Sequence, residues 1–232
     1  SNDNNLYGSA NGLYLSDDYN ITNWNLADFN IPGIVIRIQG SNNLLQDLNL
    51  TYPGTKVGYG FYISCTSAAG NKQCNDNNII RVDASNRVYG VYFYGYNSGW
   101  YGTHMRNKIA DSNFIGNSYG IDSHDVGGRF YDFNISNNNI FNASSYAIDL
   151  HTHSSTAIST GHIITTDNNL YGSTNGLYLA DNMSITNWDF SQYNIPGIVL
   201  RMYGSNNLIQ DVNVSYTGAK AGTGLYINAT SS

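Results

Sequence analysis

Two places in the sequence set an aspartate two residues before a histidine: Asp122 with His124, and Asp149 with His151. In an extended strand, residues i and i+2 point to the same side about 6.7 Å apart, and neighbouring strands lie about 4.8 Å apart. If the two segments form adjacent strands, both pairs share one small outer patch. Carboxylate and imidazole groups at this spacing predict a divalent metal site of the zinc type. General acid–base chemistry and a purely structural, solvated patch stay open as alternatives.

The elements that must position this patch are governed by a long internal repeat. Residues 5–63 return as residues 169–227, with 37 of 59 positions identical and no gap. Most of the apolar substitutions keep side-chain size and polarity, as a shared core requires. A repeat of this length predicts a piece of a tandem array. We expect one continuous unit over residues 1–232, in which the 164-residue copies are not separate domains.

A shorter motif recurs inside this repeat: a small residue followed by an apolar–x–apolar triplet. The spacing between successive motifs is 21–30 residues, and an Asn-rich alternating stretch precedes each one. Such a unit contains two or three short strands separated by Gly/Asn turns, and it is too small to bury its apolar face alone, so units stack into a solenoid. Asn suits left-handed turns and can stack in ladders between coils. The nine motifs begin at Gly12, Gly33, Gly60, Gly90, Gly120, Ala147, Gly176, Gly197 and Gly224.

This pattern, N-x-I-x-x-N-x-I followed by G-I-x-L, resembles the repeat of right-handed parallel β-helix proteins (the PbH1 type). The resemblance implies an all-β fold, a right-handed parallel β-helix of about nine coils with 21–30 residues each. A β-sandwich of short strands is the alternative fold.

A second, local resemblance concerns the first Asp–His pair. The segment from Tyr119 to Asp125, YGIDSHD, resembles the Y-G-[FI]-D-P-H-[DE] signature of mannuronan C5-epimerases, which are β-helix enzymes. The resemblance implies that Tyr119 and His124 would remove and return the C5 proton, with Asp122 assisting. Ser123 stands where the signature has Pro. Arg87, one coil earlier, is a candidate to neutralise the substrate carboxylate.

Reading the motif coil by coil predicts which side chains face outward. We expect the second position after the small residue to point out and the third to point in, with Ser123 the only polar residue at that inward position. Arg37 and Arg201 fall at the outward fourth position. An outward tyrosine column follows, which we interpret as a lateral contact surface or a sugar-stacking platform. The outward second positions are Tyr14, Val35, Tyr62, Tyr92, Asp122, Asp149, Tyr178, Val199 and Tyr226.

Composition limits the partners. The chain has 35 Asn, 24 Gly and 20 Tyr, only 11% charged residues and a net charge of −6, with no basic stripe for nucleic acid. No apolar run approaches the ~18 residues of a membrane span, so we expect no membrane insertion in this segment. His104, His153 and His162 show no partner pattern and are expected at the surface.

Cysteines and sequons point to the compartment. Cys65 and Cys74 lie nine residues apart in a polar loop, and we predict that they form a disulfide in an oxidising environment. Seven N-x-S/T sequons are glycosylation candidates, although the Asn, Ser and Thr content yields about that number by chance. They begin at Asn20, Asn49, Asn134, Asn142, Asn182, Asn213 and Asn228.

These observations favour a structural protein over an enzyme. We expect an extracellular tandem-repeat solenoid that forms or decorates a filament, sheath or surface layer, with its own repeats or copies as its main partner. A polyuronate epimerase or lyase and a glycan-binding adhesin are the alternatives. No cofactor is implied apart from a divalent metal at the Asp/His patch.

Overall fold

The chain folds as the short period-2 strands between Asn and Gly turns predict: it is an all-β parallel β-solenoid. The computed structural model describes residues 6, 8–65, 73–95, 102–123, 128–151, 158–216, 218–219 and 222–228. Helical structure in these residues is limited to two 3-10 segments, Ala27–Phe29 and Phe190–Tyr193, which occupy equivalent places in the two copies. No helix among them is long and apolar enough to span a bilayer.

The strands are short, as the spacing of turn residues requires. The first ten are β1 (Leu13–Leu15), β2 (Asn20–Thr22), β3 (Ile34–Ile38), β4 (Leu44–Asn49), β5 (Tyr59–Ser64), β6 (Asn78–Asp83), β7 (Tyr89–Tyr94), β8 (Thr103–Met105), β9 (Lys108–Ala110) and β10 (Tyr119–Asp122). The others are β11 (Arg129–Tyr131), β12 (Asn134–Ser136), β13 (Tyr146–Leu150), β14 (Ile158–Thr160), β15 (Ile163–Ile164), β16 (Asn175–Leu179), β17 (Ser184–Thr186), β18 (Ile198–Tyr203), β19 (Leu208–Gln210) and β20 (Thr223–Asn228).

One long sheet runs the length of the molecule in the order β1-β3-β5-β7-β10-β13-β16-β18-β20, and every neighbouring pair is parallel. A six-stranded sheet (β15-β12-β9-β6-β4-β2), a three-stranded sheet (β14-β11-β8) and the pair β17-β19 form the other walls. The nine predicted motif strands are all in the long sheet. Only seven of them have a neighbour on both sides, so the stack amounts to about seven turns instead of nine. The right-handed sense stays a prediction.

The register of two coils differs from the prediction. Leu13 pairs with Ile36, and Tyr14 pairs with Arg37, so Arg37 and not Val35 occupies the second outward position. The same shift recurs in the second copy, where Tyr178 pairs with Arg201 instead of Val199. Three consecutive apolar residues, Ile34–Ile36, surround the position, and alternation alone therefore could not fix which of them opposes Leu13.

The interior is filled by aliphatic and phenylalanine side chains, and its corners by asparagine ladders. At one corner, Asn43 Nδ2 donates to Asn77 Oδ1 (2.8 Å), and Asn77 Nδ2 donates to Asn107 Oδ1 (3.0 Å). At another corner, Asn138 Nδ2 donates to Asn168 Oδ1 (2.9 Å). All five side chains are buried, so each ladder satisfies polar groups that water cannot reach. The predicted asparagine ladders are therefore present inside the solenoid.

Candidate functional site

The two Asp–His segments begin on adjacent strands, as predicted. Asp122 on β10 pairs with Asp149 on β13, and their column continues to Tyr92 on one side and Tyr178 on the other. The expectation of an exposed patch is wrong, because Asp122 and Asp149 are each only 1% exposed. Tyrosine side chains stand around them on the outer face of the sheet. The carboxylates therefore lie in a largely dehydrated environment instead of facing water.

Asp149 and His151 form a closed pair. Nδ1 of His151 is in hydrogen-bond contact with Oδ1 of Asp149, and His151 is 2% exposed. Its ring stacks on Tyr178 with centroids 3.5 Å apart and planes 15° apart. Burial raises the pKa of Asp149 and lowers the pKa of His151, because both charged forms are poorly solvated there. The pair therefore holds one proton between its two groups at neutral pH.

Asp122 lies beside a cluster of tyrosines that we call the tyrosine cluster (Tyr59, Tyr62, Tyr89, Tyr92, Tyr94 and Tyr119). The rings of Tyr59 and Tyr89 stack 5.0 Å apart, and those of Tyr89 and Tyr119 stack 5.1 Å apart. Burial, and after it the charge of Asp122, raises the pKa of Tyr59 and of Tyr89. The phenols therefore stay protonated well above neutral pH. The recurring Tyr-Gly dipeptide before the apolar triplet was the sequence signal for this cluster.

The predicted catalytic and metal sets are only partly placed. Tyr119, Asp122, Asp149 and His151 are on the outer face of the long sheet, whereas His124 lies outside the described residues. Ser123 is buried, as its inward position predicts. No group of three metal-ligating side chains forms at Asp122 and Asp149 within the described part of the chain. The four-ligand metal site therefore stays a prediction that depends on His124.

The outward tyrosine column is interleaved with arginine. Arg37 lies between the rings of Tyr14 and Tyr62, with Cζ 5.8 and 5.4 Å from their centroids. In the second copy, Arg201 lies between Tyr178 (4.3 Å) and Tyr226 (5.0 Å). These cation–π contacts link three successive coils on the outside of the sheet. The arginines occupy the tyrosine column and not, as expected, the next position along the strand.

Arg87 does not face the candidate site. Its side chain is fully buried, and its guanidinium donates to the carbonyl oxygens of Leu50 (3.0 and 2.8 Å) and Ile31 (2.6 Å). Tyr52 covers it at 5.0 Å. Burial lowers the pKa of Arg87 to about 10, and the group is still a cation at neutral pH. It neutralises backbone carbonyls in the core, so the expectation that it would neutralise a substrate is wrong.

Two of the three remaining histidines are buried instead of exposed. His162 accepts from the Phe133 N–H through Nδ1 (3.2 Å), and its Nε2 faces Ser159 Oγ (2.8 Å). Because Ser159 in turn donates to the Leu150 carbonyl, the hydroxyl proton is not directed at the imidazole, and the pair is structural. His104 is also fully buried, between Phe93 and Phe130. His153 lies outside the described residues.

The cysteine and sequon residues are distributed around the solenoid. Cys65 and Cys74 are joined by a disulfide, and both are buried. Asn20, Asn142, Asn182 and Asn213 are exposed, whereas the other sequon asparagines, Asn49, Asn134 and Asn228, are half-buried. Glycosylation stays a prediction for all seven.

The strand order and register define the class of the protein, a parallel β-solenoid. No family model matches the chain, and no curated protein matches it significantly. The fold class therefore rests on the geometry of the chain itself, and the resemblance to PbH1 repeats and to mannuronan epimerases gains no support from relatives.

The Asp149–His151 pair predicts a specific pH dependence of stability. In the unfolded chain, the histidine loses its proton near pH 6.5, whereas the folded pair keeps one proton because the pKa of Asp149 is raised. Above about pH 6.5 the folded state then binds one proton more, and stability falls by up to about 1.4 kcal/mol per pH unit. We expect Asp149→Asn to abolish this decline, measured by urea unfolding at pH 6 and pH 8.

Asp47→Asn is the matched control, because Asp47 is at the surface in an ion pair with Arg81. This variant should keep the wild-type decline between pH 6 and pH 8. An equal decline in Asp149→Asn would show that the buried pair does not hold the extra proton.

Proposed function

We propose that this chain is a stiff, rod-forming segment of an extracellular structural protein. The observation that carries the proposal is the uninterrupted passage of the long sheet from β13 through β16, across the start of the second 164-residue copy. On both sides of that point the same contacts recur: Tyr14–Arg37–Tyr62 in the first copy and Tyr178–Arg201–Tyr226 in the second. A longer array of such copies would then be one rod with no hinge at the repeat boundary.

The packing of the outer tyrosines favours a structural role over sugar stacking. A sugar ring stacks on the open face of an aromatic ring, but the faces of Tyr59, Tyr89 and Tyr119 are turned toward one another along the stack. Tyr178 contacts His151 on its ring at 3.5 Å and Arg201 at 4.3 Å. These rings spend their faces on neighbouring coils, which adds stiffness along the axis. The exposed Tyr14 and Tyr226 then serve lateral contacts to other copies or to glycans.

The proposal includes an oxidising location outside the cell. The Cys65–Cys74 disulfide supports it, since such bonds persist in oxidising compartments. Low charge and a surface of Asn, Ser and Thr suit durable packing in a filament, sheath or surface layer.

Lengthening the chain tests the rod directly. Residue 228 is equivalent to residue 64, so residues 65–228 can be added after residue 228 with the coil pattern unbroken. We expect the maximal dimension in small-angle X-ray scattering to grow by about 29 Å, six coils at about 4.8 Å each, with an unchanged cross-section. The control carries the same addition through a flexible Gly/Ser linker, and its scattering should be that of two joined bodies.

Equal scattering from the two lengthened chains would contradict the rod. The enzyme alternative draws on Tyr119 and Asp122, which lie together on β10 at the buried edge of the tyrosine cluster. Epimerised or cleaved polyuronate, detected by NMR and lost in His124→Ala, would replace the structural proposal with that alternative.

A further inference from the structure

A second cluster of chemically active groups lies one wall away from the Asp–His patch. Cys65 follows β5, Cys74 precedes β6, and His104 is the central residue of β8. Their candidate ligand atoms, two Sγ and one imidazole nitrogen, all lie within 4.8 Å of one another. Gln73 forms a parallel bridge with Thr103, which places Cys74 one coil below His104. The stacking of coils, and not the local sequence, brings the three side chains together.

The imidazole of His104 is oriented as a ligand. Its Nε2 lies 3.2 Å from the carbonyl oxygen of Tyr94, and because a carbonyl only accepts, Nε2 carries the proton. Nδ1 therefore presents its lone pair, and it faces Cys65 Sγ. Metal-binding histidines are held in this way, with the second ring nitrogen donating to a carbonyl or carboxylate. The rings of Phe93 and Phe130 hold the imidazole in place at 5.6 and 5.0 Å.

The distances fit a zinc ion. Zinc–sulfur bonds of about 2.3 Å and zinc–nitrogen bonds of about 2.0–2.1 Å in a tetrahedral site hold sulfur and nitrogen about 3.6 Å apart. Cys65 Sγ and His104 Nδ1 are 3.7 Å apart. Burial lowers the pKa of His104 to about 3, so its imidazole is neutral and able to ligate at neutral pH. His162, which is equally buried, contrasts with it because a backbone N–H already occupies its Nδ1.

We propose that reduction of the Cys65–Cys74 disulfide converts this cluster into a zinc site with Cys65 Sγ, Cys74 Sγ and His104 Nδ1 as ligands. A phosphine or dithiol reductant supplies two electrons and is itself oxidised, and the two sulfurs take up two protons. Zn²⁺ then displaces these protons and bonds to two thiolates and the neutral imidazole. The oxidised chain lacks thiolates and does not bind the ion. The inference is independent of the rod proposed above.

Metal titration of the purified chain tests the site. After reduction with a phosphine in the absence of oxygen, we expect one Co²⁺ per chain, with tetrahedral d–d bands and a thiolate-to-cobalt charge-transfer band that Zn²⁺ abolishes. The oxidised chain should show neither band. His104→Gln should weaken zinc binding at least tenfold, as loss of even an outer-shell partner of a metal site does. His162→Gln is the matched control and should bind zinc like the wild type.

X-ray absorption at the zinc edge provides a test that needs no variant, in case His104→Gln does not fold. The reduced wild-type chain with one Zn²⁺ should show two sulfur ligands and at least one imidazole nitrogen. Absence of stoichiometric zinc binding, or a site with sulfur but no imidazole, would overturn the proposal.

Discussion

Arg87→Ala is expected to destabilise the chain by about 3–5 kcal/mol, among the largest effects of any single substitution here. The substitution removes a buried cation whose guanidinium satisfies the carbonyls of Ile31 and Leu50, and it leaves a cavity beneath Tyr52. Arg87→Met separates these causes, because it fills most of the volume but donates no hydrogen bond. We expect it to cost about 2–3 kcal/mol for the carbonyls alone. Chemical denaturation followed by circular dichroism measures both.

The control for this pair is Arg81→Met. Arg81 forms an ion pair with Asp47 at the surface, and its side chain is 51% exposed. Its loss should leave the free energy of unfolding close to that of the wild type. If Arg87→Met were equally silent, the buried hydrogen bonds of Arg87 would be irrelevant to stability.

Asn107→Ala is expected to cost about 3 kcal/mol or more by breaking an asparagine ladder at its centre. Asn107 Oδ1 accepts from the N–H (2.9 Å) and Nδ2 (3.0 Å) of Asn77, and its own Nδ2 donates to the Cys74 carbonyl (2.9 Å). All of these groups are buried, and each one left without a partner costs about 1–3 kcal/mol. Thermal and urea unfolding of the variant provide the measurement.

Asn139→Ala makes the matched comparison. Asn139 also donates to an asparagine of the neighbouring coil, Asn113, over 3.0 Å, but at the surface. Water replaces that bond when it is lost, so the cost should stay below about 1 kcal/mol. Equal losses in the two variants would mean that burial of the ladder contributes nothing.

The solenoid could be predicted from the sequence because its turns are locally encoded. Sixteen of the eighteen non-glycine residues with positive φ in the described part are Asn or Asp, the residues that best tolerate a left-handed backbone. Each turn therefore marks itself, and the apolar alternation between turns specifies strands. The register of β3 was beyond this reasoning, since Ile34, Val35 and Ile36 are interchangeable in a hydrophobic pattern. Only the packing of side chains between coils decides among them.

The candidate sites were harder to predict for a different reason. An outward position in a strand predicts exposure only if no neighbour covers it, and Asp122 and Asp149 are covered by tyrosines from other coils. Arg87 in a turn, and His104 between two polar-edged residues, both suggest the surface until the coils are stacked. One signal was available for His104: it follows Cys74 by 30 residues, the spacing of the coils from Val91 to Ile121. Adding one coil length to a cysteine is enough to find its partner.

The outer column of the long sheet reads Tyr, Arg, Tyr, Tyr, Asp, Asp, and then begins again with Tyr, Arg, Tyr. Every member of that series contacts specific neighbours above and below it. Insertion or loss of a single coil would set an arginine or a buried carboxylate against a foreign side chain, whereas insertion of six coils leaves every contact as it was. A protein built from this series can change its length by duplication, but it does so in steps of 164 residues.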